Sequence, residues 1–204
     1  KEVPFDDERL RSAADEVAGG KKLVLVTTHR RENQGDAMRG VGRALARLAD
    51  THSDVVFVLP AHKNPVVREA VLPYIEGKTN VVVTEPLAYG QFTHLINLSD
   101  VVLTDSGGVQ EEAPGLGKPV LVMRENTERP EAVTAGTVRL IGTAEDRVYD
   151  EVTSLLTDQD AYNAMAEAVN PYGDGKAGVR TASAIAELLG VGERLPEFDD
   201  GLNN

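Results

Sequence analysis

The sequence predicts an α/β fold in which helices cover both faces of a parallel, doubly wound sheet. Short runs rich in Val, Leu and Ile alternate six times with segments of helical periodicity. The connections are short, which suits right-handed crossovers between parallel strands. The first run, residues 22–28, is almost continuously apolar, as in a strand buried on both faces. We expect one domain over residues 1–190 and a loose acidic tail over 191–204.

The composition is that of a globular protein with an aliphatic core. Of the 204 residues, 41% are hydrophobic and only 4% are aromatic. The net charge of −12 argues against non-specific binding to nucleic acid or to an anionic membrane. No apolar run approaches the length of a transmembrane helix, and no cysteine is present for a disulfide or a thiolate metal site. We expect a cytoplasmic protein without metal or cofactor.

Start and stop signals support the individual elements. Asp6 or Asp7 can cap the first helix, which Gly19-Gly20 ends, and Pro65 suits the first position of a later helix. The pattern predicts helices at 6–18, 36–50, 65–75, 89–98, 128–134, 142–156, 158–168 and 176–189, with a further helical segment carrying Gln110, Glu111 and Glu112. It predicts strands at 22–28, 55–59, 80–83, 101–103, 119–123 and 138–141.

Polar clusters follow directly after five of these strands. They are His29-Arg30-Arg31, His62, Glu85, Asp105-Ser106, and Arg124 with Arg129, in the order of the strands along the chain. The carboxyl ends of parallel strands lie at one edge of a sheet, where open α/β sheets bind their ligands. We therefore expect clusters that are distant in sequence to be neighbours in space.

The fourth strand runs into Thr104-Asp105-Ser106-Gly107-Gly108 and then into a helical segment. A strand, a tight turn and a helix point several backbone N–H groups at one spot, and glycines allow close approach of a ligand and positive φ. This predicts a phosphate cradle. Two carboxylates beside it, Glu111 and Glu112, suit the hydroxyls of a ribose, which extends the prediction to a nucleotide. Arg129, fixed by Pro130, offers bidentate contacts to a diphosphate.

Each feature taken alone has a simpler interpretation. Ser106-Gly107-Gly108 is equally typical of an ordinary turn, and His29 of a helix-capping or core histidine. Arg30 and Arg31 suit solvated surface charges, and the two glutamates suit the start of a helix. Phe92 lies on an amphipathic segment, where an aromatic residue is more often part of the core than a stacking platform.

Several segments resemble one family. THRREN (28–33), EPLAYGQF (85–92), LTDSGGVQEEAPGLGKPVLVMRENTERPEA (103–132), AGT (135–137) and NPYGDG (170–175) are similar to the non-hydrolysing UDP-N-acetylglucosamine 2-epimerases in order, spacing and wording. The similarity extends over about residues 22–190. It implies that residues 1–190 are a UDP-binding, Rossmann-like domain, the C-terminal half of a two-domain fold resembling glycosyltransferase B.

The resemblance also implies an activity, the interconversion of UDP-GlcNAc and UDP-ManNAc for surface polysaccharide synthesis. The implied steps are elimination of UDP across C1–C2 and re-addition to the opposite face of the 2-acetamidoglucal intermediate. The carboxylates that move the proton at C2 belong to the N-terminal domain of the family. The isolated chain is therefore expected to bind UDP weakly and not to epimerise, and the full-length enzyme is expected to be a homodimer.

Roles for single residues follow from the same resemblance. In the family pattern, Ser106, Gly107 and Gly108 bind the diphosphate, Glu112 binds the ribose, and Phe92 and the backbone of Leu87 contact the uracil. Arg129 closes the pocket, and His29 takes part in catalysis beside the diphosphate. His62 and Arg30 belong to a second, regulatory UDP-GlcNAc site. Two other functions stay open. The domain is also compatible with the donor-nucleotide domain of a glycosyltransferase and with a non-enzymatic nucleotide-sugar-binding domain.

Overall fold

A computed structural model describes residues 3–198 of the chain. Its centre is a sheet of six parallel strands in the order β3-β2-β1-β4-β5-β6. The strands are β1 Lys22–Thr27, β2 Val55–Pro60, β3 Val81–Thr84, β4 Val101–Thr104, β5 Val120–Val122 and β6 Val138–Leu140. The predicted doubly wound, Rossmann-like α/β fold is confirmed.

Helices connect the strands and continue beyond the last one. They are α1 Glu8–Ala18, α2 Asp36–Thr51, α3 Pro65–Ile75, α4 Tyr89–Leu98, α5 Gly107–Glu112, α6 Pro130–Ala135, α7 Glu145–Thr157, α8 Gln159–Ala166 and α9 Ala177–Leu188, with short 3-10 helices at Arg31–Asn33 and Pro114–Leu116. None of the helices in residues 3–198 combines the length and the apolarity needed to cross a membrane.

Local chemistry accounts for where the helices begin. The carboxylate of Asp7 accepts the backbone N–H of Arg9 and caps α1, and the side chain of Asn64 caps α3 just before Pro65. The predicted bounds of α3 and α4 are confirmed. Helix α1 begins at Glu8, after its cap Asp7, and not at the predicted residue 6. Two later starts are also displaced by two residues or more. Helix α6 begins at Pro130 because the residue before a proline avoids the helical region.

The second of these displaced starts is that of α7, which the sequence pattern places at residue 142. Gly142 has a φ of +65°, a left-handed conformation that a right-handed helix cannot contain, and the helix begins three residues later at Glu145. A side chain on Gly142 would also meet the carboxylate of Glu125. The glycine therefore ends the loop after β6 rather than opening the helix.

The core lies on both faces of the sheet. Val24, Val26 and Phe57 face one layer of helices, whereas Leu23 and Leu25 face the other. Alternate strand residues point to opposite faces, so only strands apolar at nearly every position can serve two layers. Helices α2, α3, α7 and α8 contribute to the first cluster, and α1, α4, α5 and α6 contribute to the second.

The winding of the chain reverses between β1 and β4. Strand β1 pairs with β2 on one side and with β4 on the other, and Thr27 and Thr104, their last residues, are in register. The two hydroxyl oxygens are 2.5 Å apart. The loops that leave these strands therefore start side by side, at the point where open α/β sheets form a ligand crevice.

Helix α9 and the segment after it lie outside this core. No α9 side chain is buried. Residues 191–198 form no helix or strand, but Arg180 Nε donates to the carbonyl of Pro196 and the backbone N–H of Leu195 donates to the Ser183 hydroxyl. The segment is thus hydrogen-bonded to α9. The rest of the tail predicted to be loose, residues 199–204, lies outside the described residues.

Replacing Gly42 by Ala tests the close approach of α2 and α3. An added Cβ would lie 2.7 Å from Cδ2 of Tyr74 and 3.2 Å from the Ala70 carbonyl oxygen. We expect Gly42→Ala to lower the free energy of unfolding by about 1–3 kcal/mol through overpacking. In the exposed helix α9, Gly178→Ala meets nothing within 4 Å and should be neutral or stabilising. Urea unfolding measures both, and equal effects would contradict the packing argument.

Candidate functional site

The carboxylate of Asp105 organises the edge of the sheet at the carboxyl ends of the strands. Asp105 follows β4 and is completely buried. Its oxygens accept the backbone N–H groups of His29 and Arg30 at 3.0 Å, the Thr28 hydroxyl at 2.9 Å and Asn33 Nδ2 at 3.2 Å. One side chain therefore holds the whole loop after β1 against the end of β4.

The ionised form of Asp105 is favoured despite its burial. Burial by itself would raise the pKa of this carboxyl, but hydrogen bonds from the His29 side chain and from the backbone N–H groups of Arg30 and His29 outweigh it and lower the pKa. A negative charge is thus fixed beneath the loop. It costs little there because every lone pair that faces the loop meets a donor.

His29 is the side chain that this carboxylate orients. Nδ1 of His29 lies 3.2 Å from an Asp105 oxygen, while the imidazole remains 41% exposed. A carboxylate beside Nδ1 favours the proton on that nitrogen, so Nε2 is the nitrogen left for a ligand. The ring also stacks on that of His62, with centroids 5.7 Å apart and planes inclined by 24°.

A cavity of about 230 Å³ opens beside His29. It lies over the ends of β1, β2 and β3 and is lined by Thr27, Thr28, His29, Pro60, His62, Pro86, Leu87 and Phe92. Phe92 and Leu87 also pack on the second core cluster. Phe92 is therefore partly a core residue, and the part of it that lines the cavity leaves the stacking role as a prediction.

The turn between β4 and α5 carries the predicted cradle. The backbone N–H of Ser106 donates to the Thr104 hydroxyl, and the Ser106 side chain makes no capping bond to α5. Gly107 and Gly108 could adopt positive φ, but neither does. Close approach is what Gly107 provides, since a Cβ there would lie 2.8 Å from Nη1 of Arg129.

Arg129 lies over this turn within a network of ion pairs. Its Nε pairs with Glu111, and its Nη1 lies 3.1 Å from Glu128. Glu128 also binds Arg124 at 2.8 Å and lies 3.4 Å from Arg30. Its own backbone N–H and the Arg124 guanidinium lower the pKa of Glu128 to about 2. The three arginines are thus neutralised by carboxylates that an anionic ligand would have to replace.

The two glutamates of α5 differ in their surroundings. Glu111 is engaged by Arg129, and that hydrogen bond raises the pKa of the guanidinium. Glu112 is exposed and makes no hydrogen bond or ion pair within residues 3–198. Its Oε1 would lie 3.9 Å from a Cβ on Gly108. The carboxylate of Glu112 is therefore the one available to accept hydroxyl groups.

The predicted site residues fall into two neighbouring groups. One group lines the cavity and consists of His29, His62, Leu87 and Phe92. The other group does not line the cavity but lies around the start of α5, and it consists of Ser106, Gly107, Gly108, Glu112 and Arg129. Asp105 joins the groups, because it binds the His29 loop and directly precedes Ser106. Arg30 does not line the cavity, but its Nε donates to the carbonyl of Asp105 at 3.1 Å and its Nη2 lies 3.4 Å from Glu128.

Sequence reasoning assigned no role to the buried and half-buried side chains that support these groups. Asn33 donates to Asp105 and to the carbonyl of Met123, and Gln110 and Thr127 form a hydrogen bond beneath Arg129. Asp105 stands out in the sequence because it follows a strand, but its partners lie more than 70 residues away along the chain. No local pattern signals such bonds.

Comparison with known proteins identifies the family. A family model described as UDP-N-acetylglucosamine 2-epimerase matches residues 3–186. The chain belongs to the UDP-N-acetylglucosamine 2-epimerase family. It is 54% identical to the Escherichia coli K12 enzyme of that name over 165 residues, which is 81% of this chain and 44% of the relative. It is 46% identical to the Bacillus subtilis enzyme over 183 residues, 90% of this chain and 48% of the relative.

Solved structures of family members share the fold. The co-structure of S. aureus MnaA with UDP matches at a TM-score of 0.85 and 40% identity, over 97% of this chain and 54% of that one. A Neisseria meningitidis UDP-GlcNAc 2-epimerase bound to UDP-GlcNAc matches at 0.78 and 38%, over 88% and 50%. The C-terminal domain of a Francisella tularensis group 1 glycosyl transferase, at 0.57 and 15%, shares the fold only. The chain spans about half the length of the curated epimerases it matches.

Replacing Asp105 by Asn tests the anchoring of the loop after β1. The carboxylate has two acceptor oxygens, whereas an amide has one and turns an NH2 group toward the N–H donors of the loop. Each buried N–H group that loses its acceptor costs about 1–3 kcal/mol of stability. The lowered pKa of Asp105 means that its stabilisation is complete above the ordinary Asp range and is lost as pH falls through its native value. We expect Asp105→Asn to be destabilised at neutral pH and the difference from wild type to shrink with acidification, measured by urea unfolding.

Asp36→Asn is the matched control for this change. The Asp36 side chain is fully exposed, and in the described part of the chain it pairs only with Arg39 on the same helix. We expect little change in the free energy of unfolding at any pH, since an exposed i,i+3 pair contributes little. A loss at Asp105 that stayed constant from neutral to acid pH would contradict the role of its ionised form.

Proposed function

We propose that this chain is the UDP-binding, C-terminal half of a non-hydrolysing epimerase that interconverts UDP-GlcNAc and UDP-ManNAc. Because the chain belongs to this family, one observation in its structure carries the proposal. The buried Asp105 carboxylate joins the His29 loop to the Ser106-Gly107-Gly108 turn. A nucleotide cavity and an anion-binding turn are thereby held next to each other. The N-terminal half is proposed to be a second Rossmann-like domain that closes over the sugar.

The proposed ligand lies across both groups of residues. Its uracil enters the cavity against Phe92 and the backbone of Leu87, and its ribose hydroxyls donate to Glu112. The diphosphate meets Ser106, Gly107 and Gly108. The Ser106 hydroxyl, which does not cap α5, and the Glu112 carboxylate, unpaired among residues 3–198, support this arrangement. Arg129 would exchange Glu111 and Glu128 for phosphate oxygens, which it can bind in a bidentate manner.

The proposed chemistry is reversible elimination of UDP. A base removes the proton from C2, the C2–H electrons form the C1=C2 bond, and the C1–O bond breaks with its electrons passing to UDP. A proton then returns to C2 from the opposite face as UDP adds back to C1. Negative charge grows on the departing UDP, and preorganised cations and donors aimed at that charge lower the barrier. Arg129 and His29 supply these here.

His29 is the proposed catalytic residue of this half. With Nδ1–H against Asp105, the imidazolium form of His29 can also donate from Nε2 to the diphosphate oxygen that leaves C1. The adjacent carboxylate holds the imidazole ring in that orientation, as in other carboxylate–histidine pairs. The groups that move the C2 proton are proposed to be carboxylates of the N-terminal half, whose pKa values must be tuned for the task.

Three further proposals concern the whole enzyme. His62 and Arg30 would contribute to a second, regulatory UDP-GlcNAc site, next to the first because the His62 ring stacks on His29. The full-length enzyme would be a homodimer. It would act in the cytoplasm, the compartment expected from the composition.

Deuterium exchange tests the division of labour between the halves. The 204-residue chain should bind UDP weakly in calorimetry and should not exchange the C2 proton of UDP-GlcNAc in deuterated water, because the proposed carboxylates lie in the other half. Exchange at the full enzymatic rate would overturn that division. Transfer of the sugar to one of a panel of acceptors would instead favour a glycosyltransferase donor domain.

Replacing Arg129 by Lys tests the position of the diphosphate. Lys keeps the charge but loses the bidentate geometry, and we expect about a tenfold loss of UDP affinity, the size of one charge-assisted hydrogen bond. Uridine, which lacks the diphosphate, should bind as before. Phe92→Leu should weaken UDP and uridine by the same factor. Arg39→Lys, at an exposed position of α2 and paired only with Asp36 among residues 3–198, is the control in calorimetry. Equal losses for both ligands in Arg129→Lys would contradict the assignment.

A further inference from the structure

Gln110 is a polar side chain in the core beneath the proposed diphosphate site. It lies on α5 and is completely buried. Its neighbour Val109 belongs to the second core cluster, as expected of an apolar residue, whereas Gln110 is polar. Buried amides are unfavourable unless hydrogen-bonded. Both ends of the Gln110 amide are hydrogen-bonded. Nε2 donates to the Ser106 carbonyl at 3.2 Å, and Oε1 accepts from the Thr127 hydroxyl at 2.8 Å.

Hydrogen bonds can be donated in only one direction along the series that joins Arg129, Thr127, Gln110 and Ser106. The backbone N–H of Arg129 can only donate, and it lies 3.1 Å from the Thr127 hydroxyl oxygen. At the other end, the Ser106 carbonyl can only accept, so Nε2 of Gln110 must face it and Oε1 must face Thr127. The Thr127 hydroxyl then donates its proton to Oε1, while its oxygen accepts from Arg129. The orientation of the amide follows from its partners.

The chain of bonds crosses between two loops. Ser106 begins the turn after β4, whereas Thr127 and Arg129 belong to the loop after β5. Gly107 faces the same gap from the other side, because any Cβ there would strike the Arg129 guanidinium. The hydrogen bonds of Gln110 and the absence of a side chain on Gly107 therefore set the spacing between Ser106 and Arg129 together.

We propose that Gln110 is a positioning residue that holds Ser106 and Arg129 at the separation needed to bind one diphosphate together. This inference rests on the proposed function. Gln110 does not touch the ligand. Its amide acts through the Ser106 carbonyl and, by way of Thr127, through the backbone of Arg129, and a methylene chain of the same length cannot replace it.

Gln110→Met in the 204-residue chain tests the proposal. Met keeps the volume and removes both hydrogen bonds. We expect UDP to lose roughly tenfold in affinity, as for one mispositioned charged contact, while uridine affinity stays within about twofold. In the ligand-free protein, the amide proton of Arg129 should exchange faster in the NMR spectrum, because the Thr127 hydroxyl is no longer held.

Two further variants separate positioning from loss of stability. Thr127→Val cuts the same chain of bonds at a half-buried residue and should reproduce the selective loss of UDP if Gln110→Met folds poorly. Gln91→Met removes another buried amide, which donates to the Pro4 carbonyl and to Asp6. It should lower stability comparably and leave the ratio of UDP to uridine affinity unchanged.

The outcomes distinguish this inference from the function it rests on. Wild-type protein that binds UDP no better than uridine would overturn the proposed diphosphate site, and the positioning role with it. Wild-type protein that prefers UDP, with Gln110→Met and Thr127→Val keeping that preference, would overturn the positioning role alone. A selective loss of UDP affinity in Gln91→Met would also overturn the positioning role, because a distant buried amide would then have the same effect.

Discussion

A single buried carboxylate sets the geometry of the ligand-binding edge. Asp105 is inaccessible to solvent, yet its charge is retained because backbone and side-chain donors of the loop after β1 surround it. An unpaired charge in that position would be prohibitively costly, so the loop has one arrangement that satisfies it. Asn33 extends the same set of bonds to the carbonyl of Met123, after β5. The ends of three strands are thereby tied together before any ligand arrives.

The charge distribution reconciles an acidic protein with an anionic ligand. The chain carries a net charge of −12, but Arg30, Arg124 and Arg129 meet over the start of α5. Each is paired with a glutamate. A diphosphate at the proposed site would replace these partners instead of filling an unscreened positive field, and such an exchange weakens the net affinity. This suits the proposed function, in which UDP is released and bound again during the reaction.

Apolar and polar parts of the site lie on opposite sides of the reversal between β1 and β4. The cavity over β1, β2 and β3 has a mostly apolar lining, whereas the loops after β4 and β5 carry the hydroxyl, the carboxylates and the guanidinium groups. The proposed ligand, with a planar ring at one end and a diphosphate at the other, would span this boundary. The doubly wound topology places the boundary at the centre of the sheet, where it is supported from both faces.

The sequence by itself determined the secondary structure and the edge of the sheet that carries the site. Burial on both faces imposes continuous apolar runs, and Asp7, Asn64 and Pro65 are start signals that act within a few residues. Only the tertiary structure decided the strand order, the division of the site residues between a cavity and a turn, and the bonds of Asp105 and Gln110. Helical and strand periodicity report on neighbours along the chain. Hydrogen bonds that join residues more than 70 positions apart exist only after packing has chosen which strands are adjacent.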